Sequence, residues 1–297
     1  FWIGITPIGG SVFGRPQQPI TLGSGKIDSV LVFGPDHDLR IYPGTHLEFG
    51  HEGGILIFGR VDALGTEEEP ITMKAADETW RGIAIVNSHV AEHQPSRLHN
   101  VNIDSVRKAS LGPVAKLGAV QFVRTSIELK NVKLANLTTE DGINFYRSNF
   151  ELKDVTMTNA ADDCLDSDWS WGIVSQVAIS NCGGDGIDMN NSLVEITGAQ
   201  VSGAADKAIS IGEASFAKIK ASSLHGGKMA LAVKDSSWLL LGAGVSMGGG
   251  LNADVVLYVK NAMFGSGRID FLDTKSRSNL DPRIVDLGGN SVTKTYE

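Results

Sequence analysis

Four stretches between residues 140 and 213 repeat at one interval: Glu140-Asp141-Gly142-Ile143-Asn144, Asp162-Asp163-Cys164-Leu165-Asp166, Gly184-Asp185-Gly186-Ile187-Asp188 and Asp206-Lys207-Ala208-Ile209-Ser210. Asp141, Asp163, Asp185 and Lys207 are each 22 residues apart, as are Asn144, Asp166, Asp188 and Ser210. The apolar residues Ile143, Leu165, Ile187 and Ile209 keep the same phase. A fixed period of this length with one short β-like segment per period is a solenoid signature. Residues one period apart then lie about 4.8 Å from each other, the inter-strand spacing. The sequence therefore stacks carboxylates in columns, where like charges repel.

The rest of the chain has the same texture. Val30-Leu31-Val32, Leu39-Arg40-Ile41, His46-Leu47-Glu48-Phe49, Ile55-Leu56-Ile57 and Pro70-Ile71-Thr72-Met73 read as short strands between Gly-rich or polar corners. No long helical period interrupts them. Residues 1–29 read as an entry segment capping the first coil, because an open solenoid end exposes core and unpaired strand edges. Residues 30–270 are expected to form the solenoid, and 271–297 an exit segment. Net charge is −8 over 297 residues, which argues against duplex nucleic acid as a partner. No run of apolar residues is long enough for a membrane-spanning helix. Cys164 and Cys182 are read as two small buried thiols. His89, His93 and His99 fall in one longer corner, with no clear third metal ligand among them.

The phrases Tyr42-Pro43-Gly44-Thr45, Val61-Asp62-Ala63-Leu64-Gly65-Thr66 and Trp80-Arg81-Gly82-Ile83 resemble the pectin-lyase-like class of secreted proteins. Asp141-Gly142-Ile143-Asn144-Phe145, Gly186-Ile187-Asp188-Met189 and Ala230-Leu231-Ala232-Val233 can be laid in one register with that pattern. Asp206-Lys207-Ala208-Ile209-Ser210-Ile211-Gly212-Glu213 and Val233-Lys234-Asp235-Ser236 are similar to a bacterial group of such helices found beside spore-coat-kinase-like domains. The resemblance implies an all-β, single-stranded right-handed parallel β-helix of about 22 residues per coil. It also implies a secreted, periplasmic or cell-surface location and a polysaccharide partner.

Strand alternation turns Ile143, Phe145, Leu165, Ile187, Met189, Ile209, Ile211, Leu231 and Val233 inward. Two outward columns follow: Asn144, Asp166, Asp188, Ser210, and Tyr146, Asp168, Asn190, Gly212. Crowded carboxylates are relieved by a hard cation, by basic neighbours (Lys207, Lys234, Arg147 and Arg124 are in register), or by protonation at raised pKa. The Asp162-Asp163-x-x-Asp166 spacing is similar to the Ca²⁺ motif of a pectate lyase family. That implies Asp141, Asp162, Asp163 and Asp166 as Ca²⁺ ligands and Lys207 as the base of a β-elimination on an acidic, uronate-containing polysaccharide. The family's base stands in a strand, whereas Lys207 reads as a corner residue. Asp141-Gly142, Asp162-Asp163-Cys164, Ile209-Ser210-Ile211-Gly212 and Val233-Lys234 are also similar to polygalacturonases, which implies inverting hydrolysis by paired carboxyls. Ala208 stands where those enzymes carry a histidine, and an extra coil intervenes.

The candidate catalytic residues are therefore Lys207, Asp163, Asp166, Asp185, Asp188, Arg147 and Lys234. Trp169 and Trp171, with Asp168 and Asn190, are candidates for sugar contact. A non-catalytic glycan-binding scaffold is the reading from a different class. It rests on the capacity of corner Asp and Asn residues to cap turns without doing chemistry.

Overall fold

The structure, a computed structural model, describes residues 19–86, 94–111, 118–249, 254–273, 284–287 and 294–295. His89 and His93 lie outside the described residues. The chain winds as a right-handed parallel β-helix of three faces per coil. Within a coil, Asp163–Asp168 lies on the first face, Trp171–Ser175 on the second and Ala178–Cys182 on the third. Strands of the first face stack in parallel into an eleven-stranded sheet among the described residues. The second and third faces register as one sheet, because Ser96–Asp104 and Ser126–Leu137 each run unbroken across both.

Residues of positive φ turn the chain between faces, and they recur one coil apart. Between first and second faces these are Arg124, Arg147, Trp169, Asn191 and Glu213, with φ between 47° and 53°. Between second and third they include Asn131, Asp154, Gln176, Gly198 and Ala221. Further round the coil Asn136, Asn159 and Asn181 take this conformation, which asparagine tolerates better than most residues. Their side chains chain together: Asn181 Nδ2 donates to Asn159 Oδ1 at 3.2 Å, and Asn159 Nδ2 to Asn136 Oδ1 at 3.1 Å. Just past the first corner, Ser148, Ser170, Ser192, Ser215 and Ser237 form a buried ladder. Each hydroxyl accepts a backbone N–H from the coil before at 2.9–3.1 Å. These bonds satisfy N–H groups that a bare corner would leave orphaned.

All the residues expected to point inward are buried. Phe122, Phe145 and Phe150 stack along the interior, with centroid separations of 5.1 and 3.9 Å. The two cysteines are not free thiols. Cys164 and Cys182 form a disulfide with Cα atoms 5.5 Å apart. Their spacing of 18 falls short of one period, which hides the pairing in the sequence. In the winding, Cys182 ends the third face and closes back on the start of the first. The stack also extends past residues 30–270. Ile20–Leu22 and Gly25–Ile27 pair with Leu39–Ile41 and Leu47–Phe49, and Ile284–Asp286 pairs with Val255–Leu257. Short three-residue strands in polar surroundings give little periodic signal, so these edges were not legible.

Candidate functional site

The outer surface of the first face carries the acids. Gln121, Asn144, Asp166, Asp188 and Ser210 occupy one file, each paired with the next across adjacent strands. Val123, Tyr146, Asp168, Asn190 and Gly212 occupy the file beside it. A third file forms where the strands begin. Asp141 pairs with Asp163, Asp185 N donates to Asp163 Oδ1 at 2.5 Å, and Lys207 N donates to Asp185 Oδ1 at 2.9 Å. Asp141, Asp163 and Lys207 thus open strands rather than sitting in the corner, while Asp162, Asp185 and Asp206 remain corner residues.

Side-chain bonds knit the files. Asn144 Nδ2 donates to Asp166 Oδ2 at 2.7 Å and to Asp141 Oδ2 at 3.1 Å. Asn190 Nδ2 donates to Asp188 Oδ2 at 3.1 Å. Asp166 and Asp168 bring their carboxyls near enough for each to act on the other's proton affinity. Oδ1 of Asp166, Oδ1 of Asp188 and Oδ1 of Asn144 are buried with no hydrogen-bond donor among the described residues. Such unmatched buried oxygens are costly.

Burial of these acids raises their proton affinity. Burial, then the charge of Asp163, pushes Asp141 up to about 8. Burial pushes Asp163 up to about 7, against the backbone N–H of Asp185. Burial and the charge of Asp141 push Asp166 up to about 9. Asp168 and Asp185 are raised as well, chiefly by burial.

Two lysines reach the files. Lys207 Nζ lies 3.0 Å from Asp185 Oδ1 and 2.5 Å from Asp206 Oδ2. These carboxylates outweigh its burial and raise its affinity for the proton. A base needs the opposite, so the expected role of Lys207 as proton acceptor meets a physical objection. Lys234 Nζ donates to Ser210 Oγ at 2.7 Å and lies 3.8 Å from Asp188 Oδ1. It gets there across Gly212, where an added Cβ would sit 2.4 Å from Lys234 Cε.

The fold gathers Asp141, Asp163, Asp166, Asp168, Asp185, Asp188, Asn190, Lys207 and Lys234. It leaves Asp162 exposed in the corner and Arg147 exposed at another, 5.3 Å from the Tyr146 ring and 5.9 Å from Trp169. The three acids whose oxygens lie within 4.8 Å of one another are Asp163, Asp185 and Asp188, rather than the expected set of Asp141, Asp162, Asp163 and Asp166. Both oxygens of Asp185 face the Lys207 ammonium. Oδ1 of Asp166, Asp188 and Asn144 accept no hydrogen bond among the described residues, and Asp188 Oδ1 faces the Lys234 ammonium at 3.8 Å. Trp169 and Trp171 are 48% and 46% exposed at the corner beside the acids. Trp169 meets Tyr146 edge-on with centroids 5.5 Å apart.

Sequence reasoning placed Asn144 and Ser210 in the column but gave them no task, although their phase with Asp166 and Asp188 was the signal. It had none for Tyr258, whose phenol burial pushes up and which lies near enough to Lys207, Asp185 and Asp206 for their charges to act on it. Tyr258 joins the wall only because Lys234 pairs with it one coil later.

The winding and its acid-lined outer wall put the chain among right-handed parallel β-helix proteins. Among solved structures it is similar to the periplasmic alginate epimerase AlgG, at a TM-score of 0.58 and 11% identity, over 90% of this chain and 76% of that one. A point mutant of AlgG gives 0.60 at 11% identity over the same shares. An alginate lyase from Paenibacillus sp. str. FPU-7 matches at 0.39 and 12% identity, over 89% of this chain and 93% of that one. At these identities the likeness is one of fold. No protein-family model matches the chain, and no curated protein sequence does.

Proposed function

We propose that this protein is a carbohydrate-active enzyme that cleaves an acidic polysaccharide laid along the outer wall of the first face. The observation carrying this is the buried file of carboxyls, whose raised proton affinities suit acid–base work near neutral pH. Asp166 holds the proton and is placed to give it to the leaving glycosidic oxygen. Asp188, beside the Lys234 ammonium, takes one from the attacking water as the carbon–oxygen bond breaks. Lys234, Lys207 and Arg147 offer positive charge to uronate carboxylates, and Trp169, Trp171 and Tyr146 offer faces for sugar rings. The fold's neighbours handle alginate, which supports a polysaccharide partner. The disulfide supports an oxidising compartment, periplasmic or extracellular.

Cation-assisted β-elimination is the second reading, favoured by the donorless oxygens of Asp166, Asp188 and Asn144. A bound Ca²⁺ would supply positive charge to the uronate carboxylate. The chain's residues would hold that cation, and a carboxylate rather than Lys207 would take the proton.

A panel of uronate polymers separates these readings. Hydrolysis releases reducing ends without an unsaturated uronide, and Asp166→Asn should slow it by about 10³-fold while the protein stays folded. Appearance of the unsaturated uronide, suppressed by chelator, selects the second reading. Binding of polymer with no product marks a scaffold and defeats both enzymatic readings.

A further inference from the structure

The outer wall of the first face is not open along its whole length. One coil before Gln121 its place is taken by Ala84, and before that by Leu56. Both are buried, although they point away from the coil interior. Leu111 covers them, and together with Val86 these four form an apolar cluster separate from the main core.

The covering segment is built into place. It leaves the stack at Val106 and Arg107, which bridge Trp80 and Thr138, and turns back over the corner at His51–Gly54. Arg107 Nη2 lies 2.9 Å from Glu52 Oε1 and donates to His51 O at 3.0 Å. Arg81 pairs with Glu52 and donates through Nη1 to Ser110 O at 2.9 Å. Gly54 leaves the notch that receives the leucine, since a Cβ there would sit 2.6 Å from Leu111 Cδ2. A buried leucine, two arginines sharing one glutamate and a glycine notch fix this segment.

We propose that residues 105–111 form a strap that ends the substrate trough, so that the site takes the end of a polysaccharide chain rather than its middle. The inference rests on the reading of the acid files as a glycan-cleaving site and adds the substrate's form. Asp166 stands two strands from Gln121 and three from Ala84, which Leu111 covers, so roughly 14 Å of floor separates it from the strap. A polymer running along the files meets Leu111 after that distance. Only a short terminal piece fits between, and short products leave from the first turnover onward.

The test uses oligogalacturonates and oligomannuronates carrying a bulky dye at one terminus or the other, titrated onto the full chain with Asp166→Asn to hold them uncleaved. A dye at the terminus facing the strap should weaken binding by about tenfold or more, with the opposite terminus tolerated. Leu111→Ala, and independently Arg107→Ala, should narrow that difference. Equal tolerance of both dyes overturns the strap and leaves the acid site standing. Failure of every oligomer to bind overturns both. The wild type needs no variant to contribute: on a cleaved polymer, viscosity should persist while reducing ends accumulate, and an early collapse of viscosity contradicts chain-end action.

Discussion

The same outer file of the first face is apolar in the early coils and acidic in the middle ones. Leu56 and Ala84 occupy the positions that Asn144, Asp166 and Asp188 occupy later, in continuous register through Gln121. Beneath both regions the interior is alike, with Ile55, Ile83, Ile143, Leu165 and Ile187 all buried. The difference teaches that this winding dictates where an outward side chain stands but not what it is. In the early coils the file is dry and plugged. In the middle coils it holds carboxyls whose charged forms are so disfavoured that Asp141, Asp163 and Asp166 keep protons near or above neutral pH. Acids retained in such a place cost stability that leucines would have supplied.

The largest effect comes from importing the acidic chemistry into the plugged region. Ala84→Asp buries a carboxylate under Leu111 with no lysine provided for it, and should destabilise the protein by about 3–5 kcal/mol in urea unfolding. Full tolerance of that change would show that the early coils are not the dry environment their burial implies, and the contrast would collapse.

Next in size is the covalent staple under the acids. Replacing both Cys164 and Cys182 by alanine should cost about 3 kcal/mol. Asp163 and Asp166 flank Cys164, so activity should fall along with stability. A variant that loses stability yet keeps full turnover would separate the staple from the site.

The third test is the pH profile, and its sign distinguishes the two regions. Asp141, Asp163 and Asp166 bind protons more tightly folded than unfolded, so the folded state carries more protons above the ordinary value of 3.8. Their stabilising contribution is complete below 3.8. It is lost as pH rises through their folded values of about 7 to about 9. Melting temperature should therefore fall from about pH 4 upward and level off above about 9, and Asp166→Asn should flatten the upper part of that fall. Added Ca²⁺ should recover the loss at the alkaline end if the donorless oxygens hold a cation. A melting temperature that climbs with pH would mean the acids are paired with charges other than those seen here.

Much of the middle of the molecule was legible in advance. The 22-residue interval gave the inward ladder and both outward columns, because a constant interval in a stacked winding converts sequence distance directly into neighbourhood. Where the interval drifts, legibility went with it. Leu111 returns to Gly54 across 57 positions with no period to announce it, and Tyr258 reaches the site through a coil two residues longer than its predecessors. Cys164 and Cys182 meet across one corner, at a separation that matches neither the strand nor the coil period. Lys207 was placed correctly beside the acids, but its partners decide its chemistry: Asp185 and Asp206 hold it as an ammonium.

By itself the sequence determined the winding, the stacked interior and the file of acids, since each depends only on alternation within a strand and repetition between coils. Tertiary structure decided which acids are buried, that two carboxylates hold Lys207 as an ammonium, that the cysteines are joined and where Leu111 covers the outer wall. Those outcomes depend on burial and on contacts between residues at irregular separations. Proton affinity and access answer to the whole surrounding volume, which no local pattern encodes.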